Sequence, residues 1–339
     1  MKKSNAKEKI CGLASYAVLT VLTVAACWFF AGRYGVFGAN MDWISQHSVF
    51  PEYFRQQFYK TGQFFPEYAA NIGGGQNIYN FSYYGLYNPI VLIAYLLPFV
   101  KMSDYLMAAS VICLAVSVCL LYGWLKKRGF STEIALGVAV LFLLAGPMIY
   151  QSCHQIMFVQ YMPFLLMTFL GVDRYWEKGK PGLYTLGVFL MILTSFYFSI
   201  AGMAAIFLYG WYGYPKGIRK RKLFGFPVPM IVAVLSAGVL LVPTAYAILQ
   251  RSGSSQSQNL KELLMPNLQL DSSLYGTYSV GLTVILVAVL LGGIVCGSIR
   301  ERVVSVVCVA LLTVPVFAWG FNGMLYVRNK SPIPFLPFF

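Results

Sequence analysis

Charged residues are scarce in this chain of 339 residues, since Asp, Glu, Lys and Arg together make up 11% of it. A soluble domain carries about 25% charged residues. Hydrophobic residues account for 58% of the chain and aromatic residues for 17%, and the mean hydropathy is +0.67. The shortage of charge excludes a soluble globular domain. The composition instead predicts an all-α protein that crosses a membrane several times.

Acidic residues are especially few, with 11 against 25 basic residues and a net charge of +14. In a soluble chain this excess would suggest binding to nucleic acid. Here most of the basic residues fall between hydrophobic runs, where Lys and Arg are typical of cytoplasmic loops. We therefore interpret the excess as a topology signal. Membrane lipids are the expected surroundings, and no nucleic acid partner is predicted.

Disulfide and metal-binding patterns are also missing. The seven cysteines are odd in number, and none forms a CxxC pair or shows the spacing of zinc ligands. Nearly all of them lie in apolar runs, which is typical of thiols that pack in a core. The sequence therefore predicts neither a metal nor a cofactor.

The hydrophobic runs predict about nine transmembrane helices, since about 20 apolar residues cross the ~30 Å hydrocarbon core. The first run is too long for a signal peptide and lacks a clear small-x-small cleavage site. The apolar run 88–99 is too short to cross and is expected to be re-entrant or interfacial. The predicted spans are residues 10–31, 103–125, 133–149, 156–172, 183–195, 199–212, 223–249, 280–297 and 303–320.

The distribution of positive charge supports this topology. The chain is predicted to be one transmembrane domain, 1–339, of a bacterial cell membrane, with a cytoplasmic N-terminus and outer loops at 33–89 and 250–279. On this assignment, 17 of the 25 basic residues lie in inner loops. They are Lys2, Lys3, Lys7, Lys9, Lys126, Lys127, Arg128, Arg174, Lys178, Lys180, Lys216, Arg219, Lys220, Arg221, Lys222, Arg300 and Arg302.

The first outer loop is the one long segment that is polar, aromatic and rich in glycine. A helical turn at its start would place Asp42 and Gln46 on one face. Pro51 suits the first turn of a second helix, and Gly62 is expected to end that helix. A short amphipathic helix of this kind lies in the membrane interface. The loop is therefore predicted to carry the chemistry, and the hydrophobic helices to support the loop.

Glycines and aromatic residues fill the second half of the same loop. The run 73–75 is Gly-Gly-Gly, which lets the backbone approach a ligand or another backbone closely. An aromatic series follows, and it suits the headgroup region of the membrane as well as stacking on a sugar, so both interpretations stay open. The series consists of Tyr79, Phe81, Tyr83, Tyr84 and Tyr87.

Asp42 is the candidate catalytic residue. A carboxylate at the outer end of a membrane span could take a proton from a sugar hydroxyl that attacks a lipid-linked donor. The donor phosphate would need arginines on the same side. Alternatives stay open: Asp42 as a helix cap or a solvated acid, and the arginines as topology or headgroup-binding residues. The candidate substrate-binding residues are Gln46, His47, Glu52, Arg55, Asn71, Arg251 and Arg328; His154 is expected to be structural.

The stretches MDWISQH, FPEYFRQQFYKTGQFF and NIGGGQNIYNFSYYGLYNP resemble the N-terminal loop of the YfhO family of bacterial membrane proteins. Softer matches are TSFYFS, VPTAYAILQRSG and FNGMLYVRN further along. That family is similar to glycosyltransferases of the GT-C superfamily, which implies a polyprenyl-phosphate sugar donor and a surface polymer such as teichoic acid as acceptor. The resemblance implies an inverting transfer with little dependence on a metal and with Asp42 as base. Relatives of this kind are longer, so a C-terminal part is expected to be missing here, and an independent activity is expected to depend on that part.

A transporter or a lipid-handling protein without catalysis is the alternative, and a pure scaffold is a third possibility. A transporter is expected to carry ionisable residues or broken helices in mid-membrane. The predicted spans are almost free of charge, and the acids cluster in the outer loops. Glycine and proline positions in the predicted helices that have no charged partner are expected to be simple kinks. They are Gly146-Pro147, Pro163, Pro243 and Pro315.

Overall fold

Most of the described chain is helical. The computed structural model describes residues 2–34, 37–38, 42–155, 157, 159–250, 259–267, 284–324, 327, 330 and 332–338. The α-helices are α1 (Lys2–Tyr34), α2 (Val49–Thr61), α3 (Pro89–Ile93), α4 (Met102–Lys127), α5 (Thr132–Leu144), α6 (Gly146–His154), α7 (Met162–Lys178), α8 (Gly182–Thr194), α9 (Phe196–Gly213), α10 (Lys220–Phe224), α11 (Val228–Leu249), α12 (Leu260–Leu264), α13 (Val284–Cys296), α14 (Ile299–Thr313) and α15 (Pro315–Phe321). Strands β1 (Tyr68–Ala69) and β2 (Gln76–Asn77) form a small antiparallel hairpin in the first loop. The predicted all-α class is confirmed.

Four helical segments are long and apolar enough to cross a membrane, and six if each bent helix pair counts as one span. The prediction of nine spans is therefore not confirmed in the described residues. Helix α8 has 13 residues, a rise of about 20 Å at 1.5 Å per residue, which is less than the hydrocarbon thickness. Helix α7 carries four charged residues among its last six. The four segments are Gly12–Arg33, Met102–Lys127, Phe196–Gly213 and Lys220–Leu249.

The amphipathic helix predicted in the first loop is α2. Pro51 lies in its first turn, as predicted. The helix ends at Gly62, whose left-handed conformation (φ 72°) lets its N–H donate to the Phe58 carbonyl at 2.8 Å. On the polar side, the Gln56 amide donates to Glu52 at 3.1 Å. The start and end signals read from the sequence are confirmed.

Two of the predicted kinks are present. Helices α5 and α6 meet at 48° beside Gly146-Pro147, and α14 and α15 meet at 83° at Pro315. Proline lacks an N–H and clashes with the preceding turn, so the helix axis changes direction there. Pro163 instead lies in the first turn of α7, and Pro243 lies inside the continuous helix α11.

Helices α7 and α8 pack with their backbones in close approach. A Cβ added to Gly187 would lie 2.2 Å from Thr168 Oγ1, and one added to Gly171 would lie 2.6 Å from the backbone nitrogen of Tyr184. Small residues at such contacts bring helices together and maximise van der Waals packing, which drives helix association in a membrane. The two helices therefore form one tightly packed unit in the main hydrophobic core.

Basic loops meet at one end of the helices, called the basic end below. Lys127 Nζ lies 3.7 Å from the Asp173 carboxylate, and Arg128 Nη1 lies 3.8 Å from it. Asp173 is buried, so these cations offset a charge that is removed from water. Arg300 donates to the Tyr214 carbonyl at 2.8 Å. The grouping agrees with the predicted topology, and the cytoplasmic location of this end remains a prediction.

The first loop packs on the opposite ends of the helices. Its Asn88 side chain donates to Gln160 Oε1, just before α7, at 2.9 Å. The Ser82 and Thr244 hydroxyls, on the loop and on α11, are 2.9 Å apart. Hydrogen bonds between buried partners fix position as well as contributing stability. The loop is therefore anchored on the helix ends.

Candidate functional site

Asp42 lies where the first loop meets the end of α6. The Gly38 N–H donates to the Cys153 carbonyl at 2.6 Å and joins the two segments. Just beyond, the side-chain amide of Gln155 donates to Asp42 Oδ2. Asp42 is half-buried and makes no side-chain cap on the turn that follows it, so the helix-cap alternative is wrong. Within the described residues, Gln155 is the one hydrogen-bond donor to this carboxylate.

The turn after Asp42 is a π-helical turn, Trp43–His47, rather than the expected α-helical one. The Ser48 N–H closes it by donating to the Trp43 carbonyl at 3.1 Å. Gln46 accepts a hydrogen bond from the Tyr84 hydroxyl at 2.7 Å. Single π turns are frequent at functional sites, since the extra residue turns side chains away from their usual helical register. Here Asp42 faces Gln155 while Gln46 faces Tyr84.

His47 is buried in this turn, with 4% of its surface exposed. Its ring packs edge-on against Tyr84, with 5.7 Å between the ring centroids. Burial lowers the pKa of His47 to about 4, because the charged imidazolium loses hydration, and the nearby Asp42 charge opposes this shift only partly. The imidazole is therefore neutral at pH 7. Its Nδ1 has no hydrogen-bond partner among the residues that the structure describes.

A small cavity lies beside His47. It has a volume of about 10 Å³, which is close to the minimum for one water molecule. Polar side chains from three segments line it, namely His47, Tyr84, Asn88, Gln160 and Thr194. In the described part of the chain, Gln160 Nε2 is buried without a partner, as is His47 Nδ1. The cavity therefore offers two unused hydrogen-bonding atoms near the candidate base.

Glu52 and Arg55 lie on α2, and they form a clamp rather than an open pair. Arg55 is buried, and its Nη1 donates to the carbonyls of Leu97 at 3.0 Å and Val100 at 2.9 Å, with Ala94 at 3.4 Å. Its Nη2 pairs with Glu52 at 2.5 Å. The guanidinium thus satisfies carbonyls at the end of the apolar run 88–99. Its predicted role as a phosphate ligand stays a prediction, and these contacts do not favour it.

An open groove of about 630 Å³ borders this clamp. It runs between α2 and the start of α4. Its lining mixes apolar residues such as Val49 and Phe99 with the polar ends of Glu52, Gln56 and Lys101. A groove of this size is in the range of small-molecule sites.

The remaining predicted residues are not brought to Asp42 by any described contact. Asn71 is exposed in the turn between β1 and β2. In that turn Gly75 is left-handed (φ 94°), and a Cβ on it would lie 2.0 Å from the Tyr68 hydroxyl, so the predicted close approach is made to the loop itself. Arg251 and Arg328 lie outside the described residues. Among the described residues, no three His, Cys, Asp or Glu side chains are grouped to hold a metal.

Sequence reasoning missed Gln155 and Gln160, two of the residues nearest the site. Gln155 directly precedes the predicted span 156–172 and Gln160 lies near its start, and these two polar amides were the available signal. Tyr84 was placed only in an aromatic series. His154, expected to be structural, stacks on Tyr150 with ring centroids 4.0 Å apart.

The comparison with protein families agrees with this architecture. Residues 16–325 match the family described as bacterial membrane protein YfhO, which is most of the chain. No curated protein and no solved structure matches. A match of this extent, together with several apolar helices and the loop motifs, shows that the chain belongs to the YfhO family of bacterial membrane proteins.

Proposed function

We propose that this protein is a membrane glycosyltransferase that moves a sugar from a polyprenyl-phosphate donor to a cell-surface polymer such as a teichoic acid. Asp42 is the general base on the outer face. The observation that carries the proposal is the position of this carboxylate: half-buried at the junction of the first loop and α6, and oriented by Gln155. A general base needs a fixed orientation and hydrogen-bond reach to the proton that it removes.

The surroundings of Asp42 suit this role. Gln155 occupies Oδ2, and within the described residues Oδ1 has no partner, so it is the oxygen that would accept the acceptor's hydroxyl proton. His47 is neutral at pH 7 and therefore does not pair with the carboxylate as a cation. In the proposal, Gln46 and His47 help to position the acceptor, and the Glu52–Arg55 clamp holds the loop. Arg251 and Arg328 are proposed to bind the donor phosphate.

The placement of charge favours surface chemistry over ion-coupled transport. In the described segments that could cross a membrane, charged side chains stand only near the ends, such as Asp104, Lys126 and Lys127 on α4. A transporter usually carries ionisable residues near mid-membrane. Asp42 instead lies in the loop, beside polar partners.

Replacement of Asp42 by Asn tests the proposal. Asn retains an oxygen that can accept from Gln155, so the local geometry is kept while the base is removed. We expect transfer of labelled sugar to surface polymer to fall by about 10²–10⁴-fold, the usual contribution of general base catalysis. The assay uses cells that lack the native gene and express each variant at equal protein level.

Glu67→Gln is the matched control, because Glu67 is an exposed acid of the same loop. It is expected to leave transfer unchanged. Sugar transfer at the native level by Asp42→Asn would show that Asp42 is not the general base. Absence of any labelled polymer in cells with the native protein would remove the proposed reaction.

A further inference from the structure

An aromatic pocket lies at the basic end of the protein, away from the loop that holds Asp42. Its volume is about 240 Å³. The residues that define it are apolar and come from α7, α9, α10 and the link between α10 and α11: Trp176, Phe207, Trp211, Leu223 and Phe226. Phe226 lies against Gly210, where an added Cβ would be 2.0 Å from the ring. The pocket is therefore a built concavity rather than a gap between loosely packed side chains.

Positive charge directly precedes the pocket residues of α10, since residues 219–222 read Arg-Lys-Arg-Lys and are followed by Leu223 and Phe224. Lys222 is held by the fold, since it donates to the Trp176 carbonyl and lies 5.7 Å above the Tyr175 ring. The three cations before it are exposed, and no described residue forms a hydrogen bond or ion pair with their side chains; they are Arg219, Lys220 and Arg221. The pocket residues Leu223 and Phe224 thus follow three exposed cations directly in the chain.

Exposed apolar side chains on α10 and at the start of α11 favour a position at the membrane surface. Phe224 is 76% exposed, and Leu223 and Val228 are also exposed. Short segments that combine basic and large apolar residues lie at the interface between headgroups and acyl chains. Positive charge at that depth attracts anionic lipid, and basic pockets between helices bind anionic headgroups.

We propose that the aromatic pocket binds one anionic phospholipid, with an acyl chain against the pocket-defining residues and the phosphate against Arg219, Lys220 and Arg221. The positive charge of these three residues favours an anionic headgroup, and the apolar lining favours a lipid tail over free phosphate. The proposal is independent of the glycosyltransferase reaction, because it concerns the end of the protein opposite the first loop.

The test is native mass spectrometry of the purified full chain in detergent with equal amounts of phosphatidylglycerol and phosphatidylethanolamine that carry the same acyl chains. The native protein is expected to retain one phosphatidylglycerol preferentially. The triple variant Arg219→Gln/Lys220→Gln/Arg221→Gln is expected to lose this preference. Each removed cation should weaken binding about fivefold, on the order of a hundredfold for three. Leu223→Trp should reduce retention of both lipids, because the larger ring fills the pocket.

The matched control removes three exposed charges at the ends of α4 and α7 and just after α7: Lys126→Gln/Lys178→Gln/Lys180→Gln. Unchanged preference in this control supports the site. An equal loss in the control would mean general surface electrostatics and would overturn the proposal. No preference in the native protein, undiminished lipid retention by Leu223→Trp, or a second copy of the chain in place of lipid would overturn it as well.

Discussion

The protonation of His47 gives the sharpest measurement of the candidate site. The chain has two histidines, His47 and His154, so isotope labelling of histidine yields two imidazole signals in an NMR titration. The His154→Gln variant assigns them. We expect the His47 signal to titrate at about pH 4, because burial disfavours its charged form. Titration near the ordinary value of about 6.5 would refute the buried π turn.

Stability should follow from the same shift. The unfolded imidazole takes up its proton near pH 6.5, whereas the folded one stays neutral until about pH 4. Between these values the unfolded state binds more protons, so the free energy of unfolding decreases as the pH falls through this window and is unaffected by His47 above it. A difference of about 2.5 pKa units corresponds to about 3 kcal/mol. His47→Gln should flatten the pH dependence of thermal unfolding between pH 4 and 6.5.

The same titration tests whether Asp42 lies close to His47. The Asp42 charge favours the imidazolium and raises the pKa of His47 against the effect of burial. Asp42→Asn removes that charge, so the His47 signal should titrate at a still lower pH in this variant. Glu67→Gln serves as control and should leave the titration where it is. If the His47 signal titrated at the same pH in Asp42→Asn as in the native protein, Asp42 would not lie close to His47.

Three further predictions concern the fold. Arg55→Met leaves buried carbonyls unpaired and should destabilise the protein by about 3–5 kcal/mol, seen as a lower unfolding temperature in detergent; an unchanged temperature would contradict the clamp. Gly187→Ala should cost about 1–3 kcal/mol through overpacking, whereas Gly182→Ala, with open space around it, should be nearly neutral; equal effects would contradict the close packing of α7 and α8. In a cysteine-free variant in cells, an impermeant maleimide should label Gln63→Cys but not Lys220→Cys, and the reverse would invert the topology.

Local rules predicted the elements that depend on neighbouring residues. Pro51 and Gly62 mark α2 correctly, because a first-turn proline and a left-handed glycine act within one helical turn. The bends at Gly146-Pro147 and Pro315 were likewise accessible. The number of spans was harder to predict from the sequence, because α8 is apolar but too short to cross a membrane alone.

The site depended on contacts that no local pattern contains. Gln155 reaches Asp42 across 113 positions of sequence. Arg55 suggested a phosphate ligand by its type, yet its partners are carbonyls 39 to 45 positions away. The sequence does not distinguish an arginine that is available to a ligand from one that is hydrogen-bonded within the fold, so tertiary structure alone does so.

The touching backbones of α7 and α8 restrict the route of any long-tailed substrate. Thr168 and Gly187 leave no width for a hydrocarbon chain between these helices. The prenyl tail of the proposed donor, if its headgroup reaches Asp42, would therefore enter from another flank. The groove of about 630 Å³ between α2 and the start of α4 is the candidate entrance, and the exposed Phe99 and Lys101 are among its lining residues.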